Sequence, residues 1–522
     1  MTSATLSSRL DRALADLPRR FAGPGGGVAV LRDGDVLARH TWGWANAERR
    51  ILFTPRTLFR MCSITKQFTC ALMLDLFPDP AVLDAEVRSR LPRLEGAAPS
   101  ALHLAHNQSG LRDYWAVAML QGAPAESDFG DAEAEAVIGG ARSLQFAPGT
   151  RYSYCNQNFR LLSDIIEART GETFADLLRR RILEPAGMVT ALLAADTRAL
   201  PDGTEGYEGS QATGFRPAVN RILWTGDAGL GASLDDMIAW ERQIDAGRDD
   251  ARSLYRRLSA PVRFMDGASA AYGFGLARST EMGRATTGHG GALRGWRSHR
   301  IHVASERLSV VVMFNHLSDA RSAALDILAA VLGETRPAPD PALPAPDWVG
   351  AYREPETGLS ARVVPAGAGQ VTLRFGQAPE TLDLCPEGTA GRAGTRLQPT
   401  PEGLLLERPG DNLRSILVPC GTTAPQLDLA GVYRCADLGA DLTVTDAGGV
   451  LYGGFSGSLG RGRMELLDPV GTDVLALPCP RALDHTPPGD WSLAFRRDTS
   501  GVPTEVDVGC WLARGFRYVR AR

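Results

Sequence analysis

Lysine is almost missing: of 56 basic residues in 522, one is a lysine, Lys66, and the rest are arginine. Arginine keeps its proton throughout the pH range of proteins, so the basic residues offer one amine able to act as a base. Long apolar runs are also missing. The longest, such as VVVMF at 310–314, fall far short of a bilayer span, so no membrane partner is expected. The N-terminal stretch MTSATLSSRLDRALADLPRRF spaces Leu6, Leu10, Ala13, Leu14 and Leu17 on one helical face and lacks the apolar core and cleavage site of a secretory signal. Eight cysteines without paired spacing fit reduced thiols, so a cytoplasmic location is expected. A net charge of −4, with no arginine cluster interleaved with aromatics, excludes nucleic acid as an expected partner. His103 and His106 have no third ligand nearby, and neither a metal nor a cofactor is expected.

Residues 1–334 alternate short strands with helices. GGVAVLRDG and DVLARHTWGW (26–44) read as a hairpin about an Asp-Gly turn. RLLSDIIEART ends at Gly171 in the way helices commonly stop, and SAALDILAAVLGE (322–334) forms a last apolar helix. Strands at both ends with helices between predict one α+β domain, its sheet covered by helices. Residues 335–347 carry five prolines in thirteen positions, a stiff linker. Beyond it the pattern is all-β, and GAYREPETGLSARVVPAG from Gly350 repeats as GVYRCADLGADLTVTDAG from Gly431. Two similar antiparallel β-barrel domains are therefore expected at 348–426 and 427–522.

The chemistry starts with the lysine. In LFRMCSITKQFTCALML, Ser63 and Lys66 stand three apart with helical apolar spacing, so the amine reaches the hydroxyl. A serine hydroxyl is a weak nucleophile until a base takes its proton, and lysine becomes that base once it is buried. Two further short motifs follow, Tyr154-x-Asn156 in GTRYSYCNQNF and His289-Gly290-Gly291 in TTGHGGALRGW.

With these motifs, and with LAHNQSGLRDY (104–114) and FAPGTRYSYCN (146–156) between them, the first 334 residues resemble the serine β-lactamase and penicillin-binding-protein superfamily, in its class C-like branch. The resemblance implies that Ser63 is acylated, Lys66 activates it, Tyr154 shuttles a proton to the leaving amine, and Asn156 orders Lys66 and the substrate. His289 would line the opposite wall, and the N–H groups of Ser63 and Ala292 would hold the oxyanion, with Gly290 and Gly291 along the substrate. The third motif departs from the usual Lys-Thr-Gly, which holds a substrate carboxylate. His-x-Gly is similar instead to the esterases, D-amino-acid amidases and D-aminopeptidases of the superfamily. A catalytic domain followed by two β-barrels resembles the D-aminopeptidase branch.

That branch implies a serine aminopeptidase releasing a small N-terminal D-residue from a peptide, amide or ester, with β-lactams as expected inhibitors and a homodimer as the expected assembly. The alternatives are a D-stereospecific amidase or carboxylesterase, and a non-catalytic penicillin-recognising sensor. The resemblance further implies a loop of the last domain that meets the substrate ammonium with a carboxylate. The loop is 477–491, LPCPRALDHTPPGDW, and its acid is Asp484, beside His485, with Asp490 as the rival.

Overall fold

Asp33 and Gly34, both at positive φ (54° and 79°), form the two-residue turn that joins β1 (Gly25–Arg32) to β2 (Asp35–Asn46). The computed structural model describes residues 3–336, 338–367, 369–421, 426–484 and 488–521. The hairpin belongs to an eight-stranded antiparallel sheet. Its other members are β3 (Ile51–Leu52), β4 (Tyr272–Gly273), β5 (Leu276–Glu281), β6 (Arg284–Leu293), β7 (Trp296–Val303) and β8 (Leu308–Phe314). They run in the order β4-β5-β6-β7-β8-β1-β2-β3, so the two ends of residues 1–334 meet at the β8–β1 pairing.

Both faces of this sheet are covered, which is why its central strands read as unbroken apolar runs. Val28, Val30, Val310 and Val312 pack against Leu10, Leu14 and Leu17 of α1 (Ser3–Arg20) and against a C-terminal helix, Ala320–Leu332. On the other face Ala29, Val311 and Met313 join the core around α2 (Thr65–Leu76). Two more helices carry the site: α3 (Tyr114–Leu120), capped by the Asp113 side chain, and α4 (Asn156–Thr170), closed by Gly171 at φ 74°. The C-terminal helix, α5 (Ala320–Leu332), starts at the Asp319 cap and ends at Gly333.

After this segment, eight strands from Gly350–Arg353 to Leu413–Pro419 close into a barrel. The strands from Gly431–Cys435 to Ala513–Arg520 form a ten-stranded antiparallel sheet that, among the described residues, has no continuous closing ladder. Its chain divides at Leu467: Glu465–Leu466 pairs with Leu451–Gly457, whereas Asp468–Gly471 pairs with Val474–Leu477. The sequence repeat has a physical counterpart. Tyr352 and Tyr433 are both buried, and each donates its hydroxyl to the carbonyl four residues earlier, Trp348 and Leu429.

Candidate active site

Ser63 lies in a tight turn, Cys62–Ile64, just before α2, with Cys62 in the left-handed region (φ 51°). That conformation costs a non-glycine residue about 1 kcal/mol. Burial pushes the Cys62 thiol up to about 12, so it stays protonated beside the nucleophile.

Lys66 is wholly buried one turn on. Its Nζ lies 3.0 Å from Ser63 Oγ, 2.8 Å from Asn156 Oδ1 and 2.7 Å from the Asp227 carbonyl. The last two are acceptors only, so they take both N–H bonds of a neutral amine and leave its lone pair facing Ser63. Burial pulls the amine down to about 8, against the opposing pull of Asp227, Asp113 and Asp484. Tyr154 donates its hydroxyl to Ser63 Oγ at 2.6 Å, and burial drives that phenol well upward, so it is a donor.

The backbone around these groups is held by LAHNQSGLRDY. Asn107 accepts from the Cys155 N–H and from Asn158 Nδ2 through one side-chain oxygen. Asp113 Oδ2 accepts from both the backbone N–H (2.5 Å) and Nδ2 (3.0 Å) of Asn156. Burial raises the Asp113 carboxyl to about 6, against the Asn156 donors and Lys66. The Asp227 carboxylate is fixed by the Tyr114 hydroxyl at 2.7 Å.

β6 forms the facing wall. Its pairing with β7 ends in a two-residue turn flanked by Leu293 and Trp296, the pair that exchanges hydrogen bonds. Alternation then turns the backbone of Ala292 and Gly290 away from β7, toward an edge left open because β5 pairs no further along than Gly288. Gly291 is obligatory, since a Cβ there would sit 2.2 Å from the Met61 carbonyl, next to the nucleophile turn. His289 stands behind this wall. Its Nδ1 is 2.6 Å from the Gly290 carbonyl, so the proton is on Nδ1, and Nε2 accepts from the Tyr272 hydroxyl at 3.0 Å. Burial, aided by Lys66, pulls this imidazole down to about 3, so it is neutral.

A cavity of about 480 Å³ joins these parts, and Ser63, Tyr154, Asn156, Gly290, Gly291 and Ala292 all line it. Asp484, buried, lines it from the last domain. Asp490 lines a separate hollow against the middle barrel, near Arg374. His485, beside Asp484 in the sequence, lies outside the described residues, as do residues 486 and 487. The loop is fastened by two arginines. Arg294, buried at the β6–β7 turn, donates to the carbonyls of Ala482 (2.6 Å) and Leu483 (3.2 Å), and Arg481 pairs with Glu208 and Glu126.

A family model for the D-aminopeptidase domain B matches residues 342–519, and one for β-lactamase matches 10–334. A D-aminopeptidase of Gluconobacter oxydans is 61% identical over 99% of this chain and 100% of its own length. The chain belongs to the D-aminopeptidase family. A D-aminopeptidase of Brucella canis is 47% identical, with 97% of each chain covered. Among solved structures, a penicillin-binding protein homologue from Pyrococcus abyssi, described as octameric, superposes with a TM-score of 0.52 at 20% identity, over 88% of this chain and 99% of its own. A D-amino acid amidase of Ochrobactrum anthropi, solved with D-phenylalanine, gives 0.50 at 20% identity, over 63% and 99%. These two establish the shared fold.

For this member of the D-aminopeptidase family, sequence reading missed Asp113, Asp227, Tyr272 and Arg294. Asp227 acts through its carbonyl and Arg294 through distant carbonyls, neither of which leaves a motif. Asp113 carried a faint signal, as an acid inside LAHNQSGLRDY.

Proposed function

We propose that this protein is a serine peptidase that releases a small N-terminal D-amino acid, of D-alanine size, from short peptides, amides and esters. Ser63 Oγ attacks the carbonyl carbon as its proton passes to neutral Lys66. The Ser63 and Ala292 N–H groups receive the oxyanion, each worth about 3–4 kcal/mol in sites of this kind. Collapse forms the acyl-enzyme and expels the amine, protonated by way of Tyr154; water then attacks the ester and regenerates Ser63.

The observation that carries the reading is the Lys66 lone pair, aimed at Ser63 by two carbonyl acceptors within a cavity that also holds Asp484. Asp484 is a carboxylate suited to the free ammonium. Because Arg294 ties the neighbouring Ala482 and Leu483 to the far end of β6, the acyl half of the substrate lies toward Ala292 and the leaving half toward Gly290. His289, neutral where a lysine would hold a carboxylate, supports amine-bearing substrates over carboxylate-bearing β-lactams. The full-length relatives named D-aminopeptidase support the same activity. Eight unpaired cysteines support a reducing compartment such as the cytoplasm.

The test is a panel of D- and L-alanyl amides, free and N-acetylated, beside Ser63→Ala. Free D-amides should be turned over with an acylation burst that the variant lacks. Preference for the L-amides would overturn the stereochemical assignment, and indifference to N-acetylation would make the protein an amidase or esterase instead.

A further inference from the structure

The last domain reaches the catalytic segment at a second place. The hairpin joining Pro503–Cys510 to Ala513–Arg520 turns at Trp511 and Leu512. Trp511 is fully buried, with its ring 5.8 Å from Phe375 and 4.3 Å from the Arg514 guanidinium, and its backbone N–H donates to the Gly376 carbonyl at 2.7 Å. The turn is thereby anchored in the middle barrel. On the catalytic side, the Trp511 carbonyl accepts from Ser153 Oγ at 3.2 Å and the Leu512 carbonyl from the Asp113 N–H at 2.9 Å. Arg514 adds bonds to Gln145 Oε1 through N–H (3.2 Å) and Nε (3.1 Å), and Arg112 Nε donates to the Arg514 carbonyl at 2.7 Å.

These contacts grip both supports of the catalytic segment. Ser153 immediately precedes Tyr154. Asp113 fixes the Asn156 amide, because a carboxylate accepts only and so takes Nδ2, leaving Oδ1 to face Lys66. A flipped amide would set two oxygens against each other and two donors together.

We propose that Asp113 is a positioning residue for the acylation machinery and that the Trp511–Leu512 turn is the strut holding it, so that the last domain governs reactivity as well as substrate choice. The proposal rests on Ser63 and Lys66 as nucleophile and base. Asp227, Asp113 and Asp484 favour the charged form of Lys66, while Tyr154, His289 and the thiols of Cys62, Cys70 and Cys155 around it are neutral. Loss of the Asp113 charge therefore makes Lys66 easier to deprotonate.

The test uses full-length variants and two substrates: D-alanine amide, and p-nitrophenyl propionate, which lacks the amine. Asp113→Ala should lower the burst (acylation) rate constant on the ester by roughly 100-fold. Asp113→Asn, isosteric, should lose less of that rate but move the acid limb of its pH profile to lower pH. Trp511→Ala should lower the ester burst rate constant by roughly tenfold, and Trp511→Phe should restore it. Asp484→Asn, in contrast, should raise KM for the amide. A folded Asp113→Ala enzyme keeping more than half its ester burst rate constant would overturn the proposal. So would an unmoved acid limb in Asp113→Asn, which decides the matter if the alanine variant fails to fold. A Trp511→Ala defect confined to KM for the amide would place the turn in the amine pocket and overturn the strut. Failure of the underlying reading shows separately, as activity retained in Ser63→Ala.

Discussion

Lowering the pH from about 8 to about 6 should slow acylation by p-nitrophenyl propionate roughly fiftyfold, because the neutral fraction of Lys66 falls from about a half to about one per cent. The sign follows from the site. Protonated Lys66 donates to Ser63 Oγ and cannot take its proton; neutral Lys66 has its N–H bonds occupied by Asn156 and Asp227 and accepts. Burial alone would place the transition lower still, and the three nearby aspartates hold it near 8. The ester profile should climb about tenfold per pH unit and then level. D-Alanine amide should differ, because its ammonium loses a proton near pH 8. Its kcat/KM should rise with Lys66 and then fall as Asp484 loses a charged partner, giving a bell where the ester gives a plateau. Stopped-flow bursts from pH 6 to 10 measure the ester limb directly. A flat ester profile between 6 and 8 would refute Lys66 as the base. Lys66→Arg sharpens the test: a guanidinium never becomes neutral here, and a variant keeping a tenth of wild-type activity would show that the lysine is structural.

Three other perturbations address separate parts of the site. Asp484→Asn should raise KM for D-alanine amide by roughly 10–100-fold, the value of a charged hydrogen bond of about 1.5–3 kcal/mol, and should move the acid limb on the propionyl ester to lower pH, because Asp484 favours the charged form of Lys66. Arg294→Met should lower the melting temperature and relax discrimination against N-acetylated amides, since it strips the donor from the Ala482 and Leu483 carbonyls beside Asp484. Gly291→Ala should abolish the acylation burst in a protein that still folds by circular dichroism, because its Cβ would displace the Met61 carbonyl next to Cys62 and Ser63.

What the sequence made legible was chemistry carried by side chains at short spacing. Ser63 and Lys66 are three residues apart, Tyr154 and Asn156 two apart, and the Gly350 and Gly431 repeats share a tyrosine with one structural job. The two-sided burial of the central sheet was legible for the same reason, as apolar runs in β1 and β8. The parts that stayed hidden work through the backbone or across the chain. The Asp227 carbonyl that orients Lys66 would look the same with many side chains, and Leu512 reaches Asp113 from some four hundred residues away through a carbonyl. Asp484 and Asp490 could not be ranked by spacing, because the choice depends on which way a proline-rich loop folds. Arg294, at the β6–β7 turn, ties the loop at Ala482, and Asp484 lines the Ser63 cavity while Asp490 lines another.

The solitary lysine now has a fuller account than its inability to be arginine. A buried amine with no acid nearby would be neutral at low pH but a poor base, and one ringed by close carboxylates would be a strong base that stays charged. Here Asp227 contributes only its carbonyl to direct contact, because its carboxylate is occupied by Tyr114, and Asp113 is held one residue away, behind Asn156. Each acid acts on Lys66 without bonding to it. That spacing leaves Lys66 half-neutral near pH 8 while every N–H it keeps points away from Ser63. The element that sets the spacing on the Asp113 side is the Leu512 carbonyl of the last domain, so the basicity of Lys66 depends on a contact made outside the catalytic domain.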